Sequence, residues 1–392
     1  MVEALRNPSL HGFGTTIFAE MSALAMRTES VNLGQGFPDT DGPAEIAQIA
    51  AEAVLHGPNQ YPPLPGQPDL RLAIAEHAER FYNQSFDPDT EVLVTTGATE
   101  AIAAAMLALC KAGDEVIVFE PAYDSYAASI AMAGAVRKSV LLASPDHSLD
   151  VDALEQAVSP LSRLILLNTP HNPTGKVFSA DELAEIARVA IEHDLIVVAD
   201  EVYEHMVFEG AHIPIATLPG MRERTVSISS AGKTFSFTGW KIGWVRAPAE
   251  LKAAVQVAKQ FLTFVSGAPF QPAVAAGLRL GDDYFDGFAA ELQAKRDRLA
   301  GGLTQAGFDV LPTQGTYFST CDIRPLAEAT GLPSTSIEFC MALPEAAGVV
   351  AVPSEVFYET KQAGRHLVRF AFCKQDSVLD EAVERLRTLT QN

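Results

Sequence analysis

What this 392-residue chain has little of narrows its function early. Its four cysteines (Cys110, Cys321, Cys340, Cys373) lie far apart with no Cys-x-x-Cys pair, so neither a disulfide framework nor a metal site is expected. Positive charge is scarce: 28 Lys and Arg against 49 Asp and Glu leave a net charge of −21. That balance argues against nucleic acid as a partner, because phosphate contacts need clustered Lys and Arg. It also means that a small anionic ligand must meet its cations one at a time. The longest uncharged apolar run, Ala101 to Leu109, is far shorter than the roughly 20 residues a membrane helix needs. The first ten residues lack the basic start and apolar centre of a signal peptide, so a cytoplasmic protein with no membrane partner is expected.

What is present is ordinary in bulk and informative in order. The chain exceeds the size at which one core stops growing, so two lobes are expected. The first forty residues, rich in Gly and Pro, read as an irregular arm. Pro43 opens a helix to about His56, and a second runs from Pro68 to about Phe81 after a proline-dense loop. From residue 90, short β-branched runs alternate with helical stretches. Val92–Thr95, Glu115–Phe119, Arg163–Leu167, Leu195–Ala199, Thr225–Ser229 and Lys241–Val245 read as strands, with helices over Thr99–Cys110, Ser125–Ala133 and Ala180–His193. This pattern implies an α/β fold with a buried, largely parallel sheet. A charged helix over Asp283–Ala306, with Glu291, Lys295 and Arg298 on one surface stripe, leads into a smaller α+β lobe ending in a helix over Ser377–Leu389.

Chemistry collects in the turns that follow these strands. Lys233, one of ten lysines, sits among small and hydroxyl residues (Ser229-Ser230-Ala231-Gly232-Lys233-Thr234) that leave room for a ligand. A desolvated lysine near other cations has a lowered pKa and can attack a carbonyl as the neutral amine. Asp200 closes its strand, at the end that faces the ligand crevice of a parallel sheet, with Tyr203 three residues on. It reads either as a helix cap or as the acid that holds a pyridine nitrogen protonated. His171-Asn172-Pro173-Thr174-Gly175 reads as a turn, or as one that points the Asn172 amide at a ligand. Gly97-Ala98-Thr99 passes from strand to helix N-terminus, a place suited to phosphate, and Tyr123 could lie against an aromatic ligand. Arg369 stands inside the apolar run Leu367–Phe372; it is either a strand-edge residue with a solvated head or a bidentate clamp for a carboxylate.

Taken in order, Asn32-Leu33-Gly34-Gln35-Gly36-Phe37-Pro38-Asp39, Asn59-Gln60-Tyr61, the Gly97 turn, Asn172-Pro173, Asp200-Glu201-Val202-Tyr203, Ser230-x-x-Lys233 and Arg369 resemble the class I aminotransferases of pyridoxal-phosphate fold type I. The resemblance implies a large domain with a mainly parallel seven-stranded sheet between helices, over about 45–290, and a smaller α+β domain over 291–392 joined by the arm 1–44. It implies pyridoxal 5′-phosphate held by Lys233 as a Schiff base, with Lys233 carrying the proton once displaced. Asp200 would pair with the ring nitrogen, and Asn172 and Tyr203 with the phenolic oxygen. Gly97, Ala98, Thr99, Ser230 and Lys241 would hold the phosphate, although Lys241 is arginine in many relatives. Tyr123 would stack on the ring, while Arg369, Asn172 and Gly36 take the substrate carboxylate. Tyr61 would reach the neighbouring subunit's phosphate, which makes a homodimer with sites at the subunit interface.

Within the family, two groups look similar. LGQGFPD, DEVYEHMVF and SSAGKTFSFTGWKIGW resemble the kynurenine, glutamine and methionine aminotransferases. Phe18–Ser22, Gly97–Ile102 and Gly267–Pro272 add a resemblance to actinobacterial N-succinyldiaminopimelate aminotransferases. The first group carries an aromatic–histidine pair where Ser266-Gly267-Ala268 stands here, small and open, so the second reading is preferred, with 2-oxoglutarate and glutamate as the partner pair. A pyridoxal-phosphate carbon–sulfur β-lyase and a non-catalytic pyridoxal-binding regulator are the other readings.

Overall fold

The β-branched runs pair into a seven-stranded sheet in the computed structural model, which describes residues 7–391. Residues 1–6 and Asn392, including most of the N-terminal segment read above for a signal peptide, lie outside them. In chain order the strands are β1 (Val31–Asn32), β2 (Val92–Thr95), β3 (Glu115–Glu120), β4 (Val136–Leu141), β5 (Ser162–Asn168), β6 (Ile196–Asp200), β7 (Thr225–Ser230) and β8 (Gly243–Arg246). The large sheet runs β2-β8-β7-β6-β5-β3-β4, and β8 alone is antiparallel to its neighbours. The period-two pleat sorts its side chains into separate cores. Ile117, Ile165, Leu167, Val197 and Ala199 pack on one face under the helix Ala180–Glu192. Val116, Val118, Leu164, Leu166, Val198 and Val226 pack on the other, under the alanine-rich helix Gly97–Leu109. Burial on both faces is why these strands read as continuous apolar runs.

A second core belongs to the smaller sheet. Its strands are β9 (Asp309–Val310), β10 (Phe318–Asp322), β12 (Val352–Pro353) and β13 (Leu367–Ala371), in the order β12-β13-β10-β9, all antiparallel. Between β10 and β12, β11 (Val349–Val350) pairs in parallel with β1, which stitches the N-terminal segment to this lobe. The charged helix spans Asp282–Gln305, so the expected boundary at residue 290 falls inside it.

Two expectations need correction. The first forty residues contain a twelve-residue helix, Ile17–Thr28, not only irregular arm. Thr16 caps it, accepting from the Ala19 amide, and Met21, Leu24 and Ala25 bury one face in the smaller lobe's core. Tertiary burial of that face outweighs the Gly- and Pro-rich flanks that suggested coil. The stripe Glu291, Lys295 and Arg298 also divides: Lys295 is buried and pairs with Glu291 at 2.6 Å, whereas Arg298 pairs with Asp376 and Asp380 of the last helix. Strand β4 went unread because only Val140 of its six residues is buried, so its edge position leaves a mixed pattern.

Candidate active site

The C-terminal ends of β2, β5, β6 and β7 meet at one edge of the large sheet, where open α/β sheets bind ligands. A cavity of about 300 Å³ opens there, and Gly36, Gly97, Ala98, Thr99, Tyr123, Asn172, Asp200, Tyr203, Ser230, Lys233, Lys241 and Arg369 all line it. Of the residues expected from sequence, Tyr61 alone lies elsewhere. It is 81% exposed, packed edge-on against Phe264, and lines a separate surface hollow with Ser266, Gly267 and Ala268.

Asp200 ends β6 inside the pocket while the alternate side chains Glu201 and Glu204 turn behind the sheet to the fully buried Arg246, at 3.2 and 3.5 Å. That ion cluster pins the turn from which Asp200 and Tyr203 project. Asp200 Oδ2 accepts from the Tyr126 hydroxyl at 2.6 Å. Burial pushes the Asp200 carboxyl up to about 6, against the hydrogen bonds from Tyr126 and the Val202 amide and the charge of Lys233. Asn168, the last residue of β5, donates to the Asp200 carbonyl at 2.9 Å and accepts from the Asn172 amide at 2.7 Å. One carboxamide thus ties the two neighbouring strand ends together. Neither Asn168 nor Tyr126 was singled out from sequence. Tyr126 lies in the first turn of the helix Asp124–Met132, three positions after its capping residue Tyr123, a spacing that could have flagged it.

Lys233 occupies a four-residue helical turn directly after β7. Burial pulls its amine down to about 8; Cys373 and Asp200 oppose this, and Arg369 and Lys241 add to it. Its Nζ donates to the Tyr317 hydroxyl at 2.6 Å, a partner the sequence did not suggest.

Two anion-ready places flank this group. At the first, Gly97 starts the helix Gly97–Leu109 with φ +74°, and the capping residue Thr96 offers no side-chain hydrogen bond to the first turn. The leading amides are therefore left for an outside acceptor. Lys241 Nζ lies 3.3 Å from where a Gly97 Cβ would stand, so a cation and a helix N-terminus share one spot. The second is Arg369, 1% exposed on the central strand β13, with Phe318, Phe357 and Phe18 rings 3.9, 5.0 and 5.2 Å from its guanidinium. It donates to Asn172 Oδ1 at 2.9 Å and to the Gly34 carbonyl at 3.4 Å, its Nε has no partner, and no carboxylate of the described residues pairs with it. Burial lowers its pKa to about 10, the mark of a cation still short of an anion.

A lysine of depressed pKa, a buried carboxylate beside it and two separate anion holders fit pyridoxal phosphate: an aldehyde, a ring nitrogen and a phosphate, with one cation left for an amino acid's carboxylate. The fold and pocket define a pyridoxal-phosphate enzyme of fold type I.

Comparison with known proteins makes this specific. The chain belongs to the aminotransferase class I and II family, whose profile matches residues 28–386. It is 53% identical to a probable N-succinyldiaminopimelate aminotransferase (DapC) of Mycobacterium tuberculosis, over 97% of this chain and 98% of that one. It is 41% identical to the methionine aminotransferase of Escherichia coli, over 96% of both. The solved structure of N-succinyldiaminopimelate aminotransferase from M. tuberculosis superposes with a TM-score of 0.95 at 53% identity, covering 98% of this chain and 100% of that one. This chain is thus an enzyme, a pyridoxal-phosphate-dependent aminotransferase acting on amino and 2-oxo acids. No helix of the described residues is long and apolar enough to cross a membrane.

Proposed function

We propose that the enzyme moves the amino group of N-succinyl-L,L-diaminopimelate to or from the 2-oxoglutarate/glutamate pair, in a cytoplasmic setting, as a homodimer. The reading of the site is carried by one juxtaposition: Lys233, Asp200 and the unpaired Arg369 in a single pocket. Bound there, the cofactor supplies an electron sink at the carbon that bears the amino group.

The chain's residues do the rest. Asp200, ionised above a pH of about 6, would pair with the ring nitrogen, and Asn172 and Tyr203 would bond the phenolic oxygen. Burial keeps the Tyr203 phenol protonated, so it arrives as a donor. Ala98, Thr99, Ser230 and Lys241 would hold the phosphate, Gly97 gives the helix its sharp start, and Tyr123 would be the residue that stacks on the ring. Arg369 clamps the α-carboxylate with help from Asn172 and the Gly36 backbone, and its collar of phenylalanines keeps water off that ion pair. Lys233, with a pKa of about 8, can give and take a proton near neutral pH.

The substrate reading draws on the likeness to the M. tuberculosis enzyme and on the small residues Ser266-Gly267-Ala268, which leave room for a long acyl chain. Those residues and Tyr61 share a hollow away from this chain's own pocket, and Phe261 and Val257 stand 80% and 62% exposed on the helix leading to them. A second copy covering this surface would bring Tyr61 to its partner's phosphate. The test is a donor panel with 2-oxoglutarate: succinyldiaminopimelate, kynurenine, methionine and glutamine, following glutamate formation. Turnover of the last three without the first would sink the substrate reading, and pyruvate with ammonia from cystathionine without any oxo acid would favour the lyase. Lys233→Ala is expected to lose both borohydride-fixed cofactor and transamination; fixation retained in that variant would mean another lysine.

A further inference from the structure

The phenol of Tyr317 stands between Lys233 and Gly36, with the Tyr203 phenol as a third polar neighbour. Its hydroxyl lies 2.6 Å from Lys233 Nζ and 2.6 Å from the Gly36 carbonyl oxygen. The Tyr203 phenol can itself donate but a carbonyl cannot, so the single phenolic proton of Tyr317 belongs to the Gly36 contact. What remains on the Tyr317 oxygen is acceptor capacity, and the Lys233 amine must therefore donate to it. The arrangement is tightly built. Tyr317 is 1% exposed, with Tyr203 edge-on at 5.3 Å and 90° and Phe318 at 4.7 Å. The residue before it, Thr316, is held by the Met206 carbonyl at 2.8 Å. Gly36 can approach only because it lacks a Cβ, which would stand 2.7 Å from the Phe318 ring.

We propose that Tyr317 is a positioning residue for Lys233: it takes one N–H of the amine while its own proton is spent on Gly36, which leaves the amine's lone pair free for the reacting proton. An amine that accepted the phenolic proton instead would have its lone pair blocked. When Lys233 picks up a proton it becomes an ammonium with three N–H groups, one still on Tyr317, and returning the proton restores the start. The same phenol fixes the Gly36 turn, so the lysine and the backbone proposed to receive the substrate carboxylate share one tether. Besides Tyr317 and Tyr203, the groups facing Lys233 are Asp200, Cys373, Arg369 and Lys241. Tyr317 itself stays a phenol at working pH, because burial lifts its pKa well above the usual range.

This inference rests on Lys233 being the cofactor-linked, proton-carrying lysine, and the experiment separates the two. Borohydride fixation at Lys233 in the loaded wild-type enzyme tests that reading; its absence would overturn the function assignment, and this proposal with it. Given fixation, Tyr317→Phe keeps the ring and should still fix cofactor. Its half-reaction with an amino acid should slow by about ten- to a hundredfold, with a larger α-deuterium isotope effect than wild type. In cofactor-free protein, the pH midpoint for acetylation of Lys233, read by mass spectrometry, should move lower, because the ammonium loses an acceptor. An unchanged midpoint and isotope effect would overturn the proposal, as would a slower reaction with neither shift. If Tyr317→Phe does not fold, 3-fluorotyrosine at 317 weakens the acceptor at nearly constant size. The midpoint should then move the same way by less, and no movement would count against the proposal.

Discussion

Arg369 condenses the protein's electrostatic problem into one side chain. In a chain of net charge −21, a buried guanidinium between three phenylalanines holds only an amide oxygen and a carbonyl. Its planar fork suits a carboxylate that a point-charge ammonium cannot grip at two places. Arg369→Lys is expected to lose about 2 kcal/mol of substrate binding, roughly thirtyfold in kcat/KM, with cofactor fixation intact in a steady-state and borohydride comparison. Tyr126 acts on Asp200 in the opposite sense. Its hydrogen bond favours the carboxylate, so Tyr126→Phe raises the Asp200 pKa above its value of about 6. Since the charged form is the one that pairs with the ring nitrogen, cofactor affinity should decline as pH falls through that pKa, and at a higher pH in the variant. Spectroscopic titration of cofactor between pH 5 and 8 would show it, and coincident curves would remove Tyr126 from this role. Arg369 and Asp200 were legible in the sequence because a charged residue inside or ending an apolar strand is conspicuous. Tyr126 and Tyr317 were not, because a tyrosine in such settings ordinarily belongs to the core.

Elements, rather than single residues, set where the phosphate can go. The helix Gly97–Leu109 begins against the start of β8, and Gly243 marks the contact: a Cβ there would lie 2.6 Å from the Gly97 carbonyl carbon and 2.8 Å from the Ala98 nitrogen. Gly243→Ala should push the helix N-terminus from its place. A loss of about 1–3 kcal/mol in stability is expected, seen as a lower Tm, together with weaker cofactor binding. Normal cofactor affinity in that variant would show that the close approach is not what forms the anion site. Apart from the edge strand β4, the strands of the large sheet were readable within a residue or two because burial on both faces leaves unbroken β-branched runs. The helix Ile17–Thr28 was not, since its stability comes from Met21, Leu24 and Ala25 packing on a lobe formed mostly from the other end of the chain.

At the scale of the whole molecule, one pocket draws on distant parts of the chain. Gly36 comes from the N-terminal segment, Lys233 from the large sheet and Arg369 from the small one, while Tyr61 lines a separate hollow. If Tyr61 completes the partner's site, mixed dimers should rescue two defective parents. A Lys233→Ala subunit supplies its Tyr61 to a Tyr61→Ala subunit that retains Lys233, giving one complete site per mixed dimer. Co-expression should restore activity above either parent, to about a quarter of wild type for random pairing of equal amounts. Strict additivity of the parents would place Tyr61 outside the neighbouring site.

The sequence by itself determined the strand-and-helix alternation, the turns carrying Lys233, Asp200 and Asn172, and the kind of cofactor they suit. The alternation and the turns follow from local burial patterns and from the rule that parallel strands end at a common edge; the cofactor followed from the resemblance of those turns, taken in order, to the class I aminotransferases. Tertiary structure alone decided which residues complete the machinery from afar. Tyr317 is 84 positions from Lys233 and 281 from Gly36, and only folding sets its hydroxyl between them. A hydrogen bond across such separations leaves no periodicity behind; its partners are chosen by packing, and packing is a property of the folded chain.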